Sequence, residues 1–293
     1  MGLSDKIYKY IFMTVALSSF VFLIGIIIVL FSEGLPVLSS TGVMAFIFGK
    51  SWYPTSTPPE FGIFPLISAS LVVTLGAMVV AVPVGIGSAL YIHEIAGVKQ
   101  KMILKPVVEL LGAIPSIIFG FFGMLIVAPF LQDLLHLSTG QCAFTGALIL
   151  GIMAIPVLCS ISEDALSVVP KSYREASYAL GANRWQTLWK VIMPAAGSGV
   201  STSIILGISR VMGETMTVLL VTGGAAMIPK SIFDPVRPMT STIAAEMGEA
   251  AVGGAHYHAL FAIGLVLFLI TLMMNMIAEY ISRKYRMKLG QDV

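Results

Sequence analysis

The sequence predicts an all-α polytopic membrane protein with six transmembrane helices and both termini on the cytoplasmic side. Three observations carry that prediction. Hydrophobic residues make up 57% of the chain and charged residues only 11%, whereas a soluble domain carries about 25% charged residues. Six apolar segments, approximately 10–31, 65–93, 104–131, 141–163, 192–222 and 258–282, can each cover a hydrocarbon core, which takes about 20 helical residues. Lysine and arginine are spread unevenly over the connections between them, and basic residues favour the cytoplasmic side.

The first segment follows Lys6 and Lys9 and exceeds a usual signal core. No small-x-small cleavage site follows it, so it is expected to stay as a span. Residues 32–64, with Trp52, Tyr53, Pro54, Pro58 and Pro59, suit an interfacial outer loop. Residues 1–64 therefore form an N-terminal helix and first outer loop, 65–285 the main transmembrane unit, and 286–293 a cytoplasmic tail. Gly49-Lys50-Ser51 does not complete a phosphate-cradling loop, because Met44 stands where that loop requires glycine. No nucleotide motif is found elsewhere, so ATP and its magnesium would belong to a partner and this chain would bind no cofactor.

The second and third segments carry Pro83, Gly112, Pro115, Gly120 and Gly123. Small residues let membrane helices approach closely, and proline leaves backbone groups for neighbours to satisfy. Glu109 is expected at the cytoplasmic end of the third, facing protein or water. Cys142 and Cys159 fall on one predicted helix, roughly 25 Å apart along it, beyond the reach of a disulfide.

One side of the membrane is expected to hold Lys6, Lys9, Lys99, Lys101, Lys105, Lys171, Arg174, Arg184, Lys190, Arg283, Lys284, Arg286 and Lys288. The other holds Lys50, Lys230 and Arg237. That asymmetry puts both termini in the cytoplasm. The outer loop 223–257 contains a helix-like stretch, 240–252, with Glu246 and Glu249. His256 and His258 do not share a helix face and have no third ligand nearby, so no metal site is expected there.

Residues 170–194, PKSYREASYALGANRWQTLWKVIMP, are the most polar stretch between spans. Ser172 and Glu175 are spaced as a capping box. Gly181 supplies a left-handed stop, and Asn183 with Gln186 repeats the start signal. Two short helices bent around Gly181 are expected, exposed to water. The small residues Ala176, Ser177 and Ala179 would let such a bend seat in a groove on another protein. The caps alone would equally suit an amphipathic linker.

Arg210 and Glu214 lie inside the fifth segment, where a charge costs about 2.5–3.5 kcal/mol to insert. Their spacing of four suggests one helix face, shared with Gly199, Ser203, Gly207 and Thr217. This stripe is expected to look onto other helices or a pathway. The pair reads either as a salt bridge holding a bundle together or as a site where guanidinium meets a passing oxyanion, for which its planar fork of donors is suited. In the second reading Glu214 competes for Arg210 when no anion is present.

Two resemblances sharpen these alternatives. Glu175-Ala176-Ser177, three residues, Gly181, nine residues and Val191-Ile192-Met193-Pro194 resemble the EAA loop of bacterial ABC importer permeases. The resemblance implies that Glu175, Ala176, Ser177, Gly181 and Pro194 contact an ATPase subunit. Arg210-Val211-Met212-Gly213-Glu214-Thr215-Met216 and Gly112-Ala113-Ile114-Pro115-Ser116 resemble segments of phosphate ABC importer permeases. The Gly-Glu-Thr-Met continuation, Phe61-Gly62-Ile63 and the long outer loop look more like the PstC-type subunit than its PstA-type partner. This implies a type I ABC permease fold in a bacterial plasma membrane and a phosphate path including Arg210, Glu214, Thr217 and Ser203. It also implies a second permease, ATPase subunits, a soluble phosphate-binding protein and no nucleic acid. The chain would not itself be an enzyme. The rival readings are a permease for phosphonate or molybdate, and an ion-coupled secondary carrier. No convincing internal repeat supports the carrier.

Overall fold

Apolar runs that water cannot hydrate fold as helices, because each backbone N–H and C=O is then paired within its own segment. The computed structural model describes residues 3–288, and five of its helices are long and apolar enough to cross a bilayer. They are Tyr8–Thr41, Phe64–Ile95, Ser116–Leu135, Ala143–Ser167 and Ala255–Ile277. The other expected crossing, fifth in order, is built from two pieces, Gly197–Met212 and Met216–Val221. Alongside the helices is one short antiparallel hairpin, Trp52–Tyr53 with Glu60–Phe61.

Spans two and four form the frame. Ala69, Ala77 and Ala81 on one and Leu150, Ala154 and Leu158 on the other are fully buried. Their backbones approach so closely that a Cβ on Gly85 would stand 2.7 Å from Leu158 Cβ and 3.3 Å from the Ile155 carbonyl. Small residues at such crossings are how membrane helices gain dispersion contacts. A second core joins the C-terminal end of the first helix to the hairpin and the last span, through Val37, Phe46, Trp52, Leu260 and Ile263. A third, at the opposite end, gathers Leu90, Ile92, Leu166, Leu188 and Ile192.

The structure corrects four expected boundaries. The first helix does not stop near residue 31 but runs Leu3–Thr41. Gly34 lies against the backbone of Ala262 and Val37 is buried, so packing on the last span extends the helix past Pro36. The third segment, expected as one helix over 104–131, is two: an exposed helix Val98–Ala113 carrying Lys99, Lys101, Lys105 and Glu109, then the span Ser116–Leu135. Proline disfavours helical backbone in the residue before it, and Ile114 is extended (ψ 127°), which separates them. The helix expected over 240–252 is Met239–Glu246. The last helix runs Ala255–Lys288, taking in the start of the expected tail; residues 289–293 lie outside the described residues.

Replacing Gly85 by leucine should overpack the frame and cost about 1–3 kcal/mol. A lowered melting temperature in detergent, compared with Gly87→Leu where no atom lies within 4 Å, is the measurement.

Candidate functional site

The bent pair of helices forms as expected, with one change at its start. The first helix is Lys171–Ala179, with Pro170 at its N-cap and no side-chain cap bond. Ser172 therefore sits inside the first turn rather than closing a box with Glu175. Proline at 170 already fixes the backbone for a helix start and makes a hydroxyl cap unnecessary. Gly181 takes φ +81°, the left-handed conformation that breaks the helix. Asn183 and Gln186 then close a reciprocal box: Gln186 N donates to Asn183 Oδ1 and Asn183 N to Gln186 Oε1, both at 2.9 Å.

Inside this elbow, the Ser177 and Thr187 hydroxyls share a 2.9 Å hydrogen bond, and both are buried. Ser177 thus pins the two arms together and lies at the floor of a cleft of about 600 Å³ that Ala176 also lines, while Glu175 is exposed outside it. The cleft rim carries Tyr173 and Leu180, and Leu180 is 90% exposed. Trp185 and Trp189 are also exposed on the second arm. Pro194 follows in the turn Met193–Ala195, and the chain then bends by 69° into Gly197–Met212.

Polar contacts bind the elbow to the spans. Arg174 Nη2 meets Glu94 Oε1 at 2.5 Å and His93 Nε2 at 3.0 Å, and Arg184 donates to the Glu94 carbonyl. Lys105 Nζ lies 2.6 Å from Glu163 Oε2 in the fourth span. That carboxylate holds the Lys105 ammonium above its usual range. No sequence motif pointed to His93, Glu94 or Glu163; their partners lie tens of residues away.

The stripe on the fifth span divides. Gly199 and Gly207 abut Ala165 and Leu158 of the fourth span, and the Ser203 hydroxyl is buried, 2.8 Å from that of Ser162. Ser203 is therefore a packing contact between spans four and five. Arg210, one turn beyond Gly207 on the same continuous helix, is exposed, with no hydrogen bond or ion pair among the described residues. Nor does it pair with Glu214 on one helix face. The helix ends at Met212, and Gly213–Thr215 form a break. There Thr240 Oγ1 donates to the Glu214 carbonyl at 2.7 Å, while the Glu214 carboxylate accepts from Thr217 N at 3.4 Å.

This break meets the one at Pro115. Thr217 is buried and its hydroxyl donates to the Ser116 carbonyl at 2.9 Å. A Cβ on Gly120 would lie 3.2 Å from Thr217 Cα, so the two half-helices are nearly in backbone contact. Thr217 thus ties the start of the third span to the second piece of the fifth, with Glu214 half-buried beside the junction.

Residues 81–287 match the family described as binding-protein-dependent transport system inner membrane component. The chain belongs to this family. The permease is 37% identical over 263 residues to the probable ABC transporter permease protein YqgH of Bacillus subtilis, covering 89% of this chain and 85% of that protein. It is 33% identical over 308 residues to the phosphate transport system permease protein PstC of Mesorhizobium japonicum, covering 99% and 93%. Its fold is similar to a solved bacterial alginate ABC transporter (TM-score 0.67, 13% identity, 96% of both chains). It is also similar to an inward-facing MetNI methionine ABC transporter (TM-score 0.57, 21% identity, 76% of this chain and 94% of that one). The permease is a multi-pass membrane component of a transporter, as the resemblances implied, and PstC-type permeases are among its relatives.

Thr217→Val should remove the hydrogen bond that joins the two helices and cost about 0.5–1.5 kcal/mol, read as a lowered melting temperature, while Thr217→Ser stays near the parent.

Proposed function

We propose that the permease is a subunit of an ATP-driven importer of inorganic phosphate in the bacterial plasma membrane. The observation that carries this is the uncovered guanidinium of Arg210, set in a span four residues before the break at Glu214. A cation at that depth cannot face lipid cheaply, so a second, PstA-type permease would cover it and enclose an aqueous path. Phosphate oxygens would take the two parallel donors of the guanidinium. Glu214, near but not bound to Arg210, would accept a proton from a phosphate hydroxyl. Thr217 would position it by closing the helix junction, and Ser203 would hold the fifth span on the fourth.

ATP and magnesium would be held by two ATPase subunits seated on the elbow through Glu175, Ala176 and its exposed aromatic residues. A soluble phosphate-binding protein would deliver its cargo to the outer loops. ATPase closure would push the elbow and rock the spans, turning the Arg210 face outward. The phosphate assignment is supported by the relatives named for phosphate transport; the fold is shared with transporters for methionine and alginate.

Arg210→Gln should lower phosphate uptake by about a hundredfold, equivalent to about 3 kcal/mol, in vesicles where the complex still assembles. Uptake blocked by molybdate but not by unlabelled phosphate would overturn the substrate. Gly181→Val meets no neighbouring atom, yet the left-handed backbone should resist it by about 1–2 kcal/mol. The ATPase subunits should then fail to co-purify, and normal co-purification would count against the elbow as their seat.

A further inference from the structure

At the foot of the second span, the chain widens into a π-helical turn, Tyr91–Ile95, that presents His93 and Glu94 to the elbow. Single π turns of this kind often mark functional positions. Charged groups from five elements converge there. Arg174 and Arg184 come from the two arms of the elbow, and Glu94 receives both, on its carboxylate and its carbonyl respectively. Lys101, from the exposed helix Val98–Ala113, donates to the His93 carbonyl at 2.7 Å. Glu163, from the fourth span, lies 3.6 Å from His93 Nδ1 and takes Lys105 on its other oxygen.

The two arms of the elbow are held to the body differently. The second is anchored by apolar burial of Leu188 and Ile192 in the core at this end of the molecule. In the first, Lys171–Ala179, only Ser177 is buried, and its bond goes to Thr187 of the second arm rather than to the spans. The direct polar tie from that arm to the spans is Arg174. Its partner Glu94 is 14% exposed, so the pair is largely withdrawn from water, where a charge-assisted bond is strong. His93 Nδ1 and Arg174 Nε are buried without hydrogen-bond partners, leaving the knot with unused capacity for a second arrangement.

We propose that Arg174 and Glu94 form a positioning latch that makes the first arm of the elbow move as one body with the second span. The close packing of the second span on the fourth carries that displacement onward. The idea rests on the reading of the chain as an ATP-driven permease, and adds the residues that convert elbow displacement into span displacement. Without the latch, the first arm swings about Gly181, and ATP is hydrolysed with less substrate moved.

The test uses the complete importer in proteoliposomes, with the second permease, ATPase subunits and binding protein present. Glu94→Gln and Arg174→Gln should each raise the ATP hydrolysed per phosphate taken up by about fivefold or more, with assembly retained and hydrolysis within about twofold of the parent. The exchanged pair, Glu94→Arg with Arg174→Glu, should bring the ratio back toward the parent value. Parallel loss of hydrolysis and uptake at an unchanged ratio, or an exchange no better than either single change, overturns the latch. Should the parent hydrolyse ATP but import no phosphate, the substrate reading fails, and the latch is judged by spin labels at Ile95→Cys and Lys171→Cys. The label separation should be narrow and unaltered by ATP, and broadened by Glu94→Gln; a separation that shifts with ATP in the parent, or no broadening, overturns it.

Discussion

Hydrocarbon offers no water to hydrate a backbone group that loses its helical partner. Much of this permease follows from that constraint, because the break in the fifth span meets the break at Pro115 where the third span begins. At the first interruption Pro115 contributes no N–H, and Ile114 leaves the helical conformation. At the second, three residues intervene between Met212 and Met216. The Thr217 hydroxyl satisfies a carbonyl of the first interruption, and the Thr240 hydroxyl satisfies one of the second. Small residues such as Gly120 bring the half-helices near enough for these short side chains to reach. The two breaks are therefore held against each other by short side chains rather than by their own helices alone.

The same constraint marks what the sequence could and could not disclose. Apolar length alone placed most crossings, and Gly181 announced its left-handed turn, because both signals are local. The Asn183–Gln186 box was equally legible, since its partners are three residues apart. Pro115 was visible too, but its consequence was not. Whether a proline bends a span or ends it depends on what neighbours supply, here Thr217 from about a hundred residues later. The spacing of Arg210 and Glu214 misled for a related reason. A four-residue interval means a shared face only while the helix continues, and Thr240 captures the Glu214 carbonyl where the helix would have continued. The knot of His93, Glu94, Glu163 and Arg174 left no pattern at all, because ion pairs between distant elements have no sequence period.

The elbow and the broken span are mechanically adjacent. Its second arm passes through Leu188–Ile192 and Met193–Ala195 to the fifth span, with one bend of 69° at the junction. From Gly197 to Arg210 the helix is continuous, about 20 Å long at the usual rise. That segment is bound to the frame along one side by Ser203, Gly199 and Gly207. In the proposed mechanism a push on the second arm would be delivered to spans four and five together, and a push on the first arm to the second span through Glu94 and on to the fourth by packing. The fourth span would then be the shared member of the two routes.

Arg210 differs from the other arginines whose side chains are described. Arg174 and Arg184 are received by Glu94, Arg237 by Glu246 and the Gly224 carbonyl, and Arg283 by Glu279. Each of these four lies in the elbow, the outer loop or near the chain end, where water could have served in place of a protein acceptor. Arg210 lies within a span, where water cannot be assumed, and has no acceptor among the described residues. A guanidinium keeps its charge in any protein environment, so it cannot escape the cost by losing a proton. In the proposed complex its acceptor would be water held by an enclosing subunit or an anion in transit. A permanent acceptor in the neighbouring subunit would fill the fork and close the path to anions, whereas water can be displaced. The proposed phosphate path is placed at Arg210 for that reason, beyond the stretch of the fifth span that packs on the fourth.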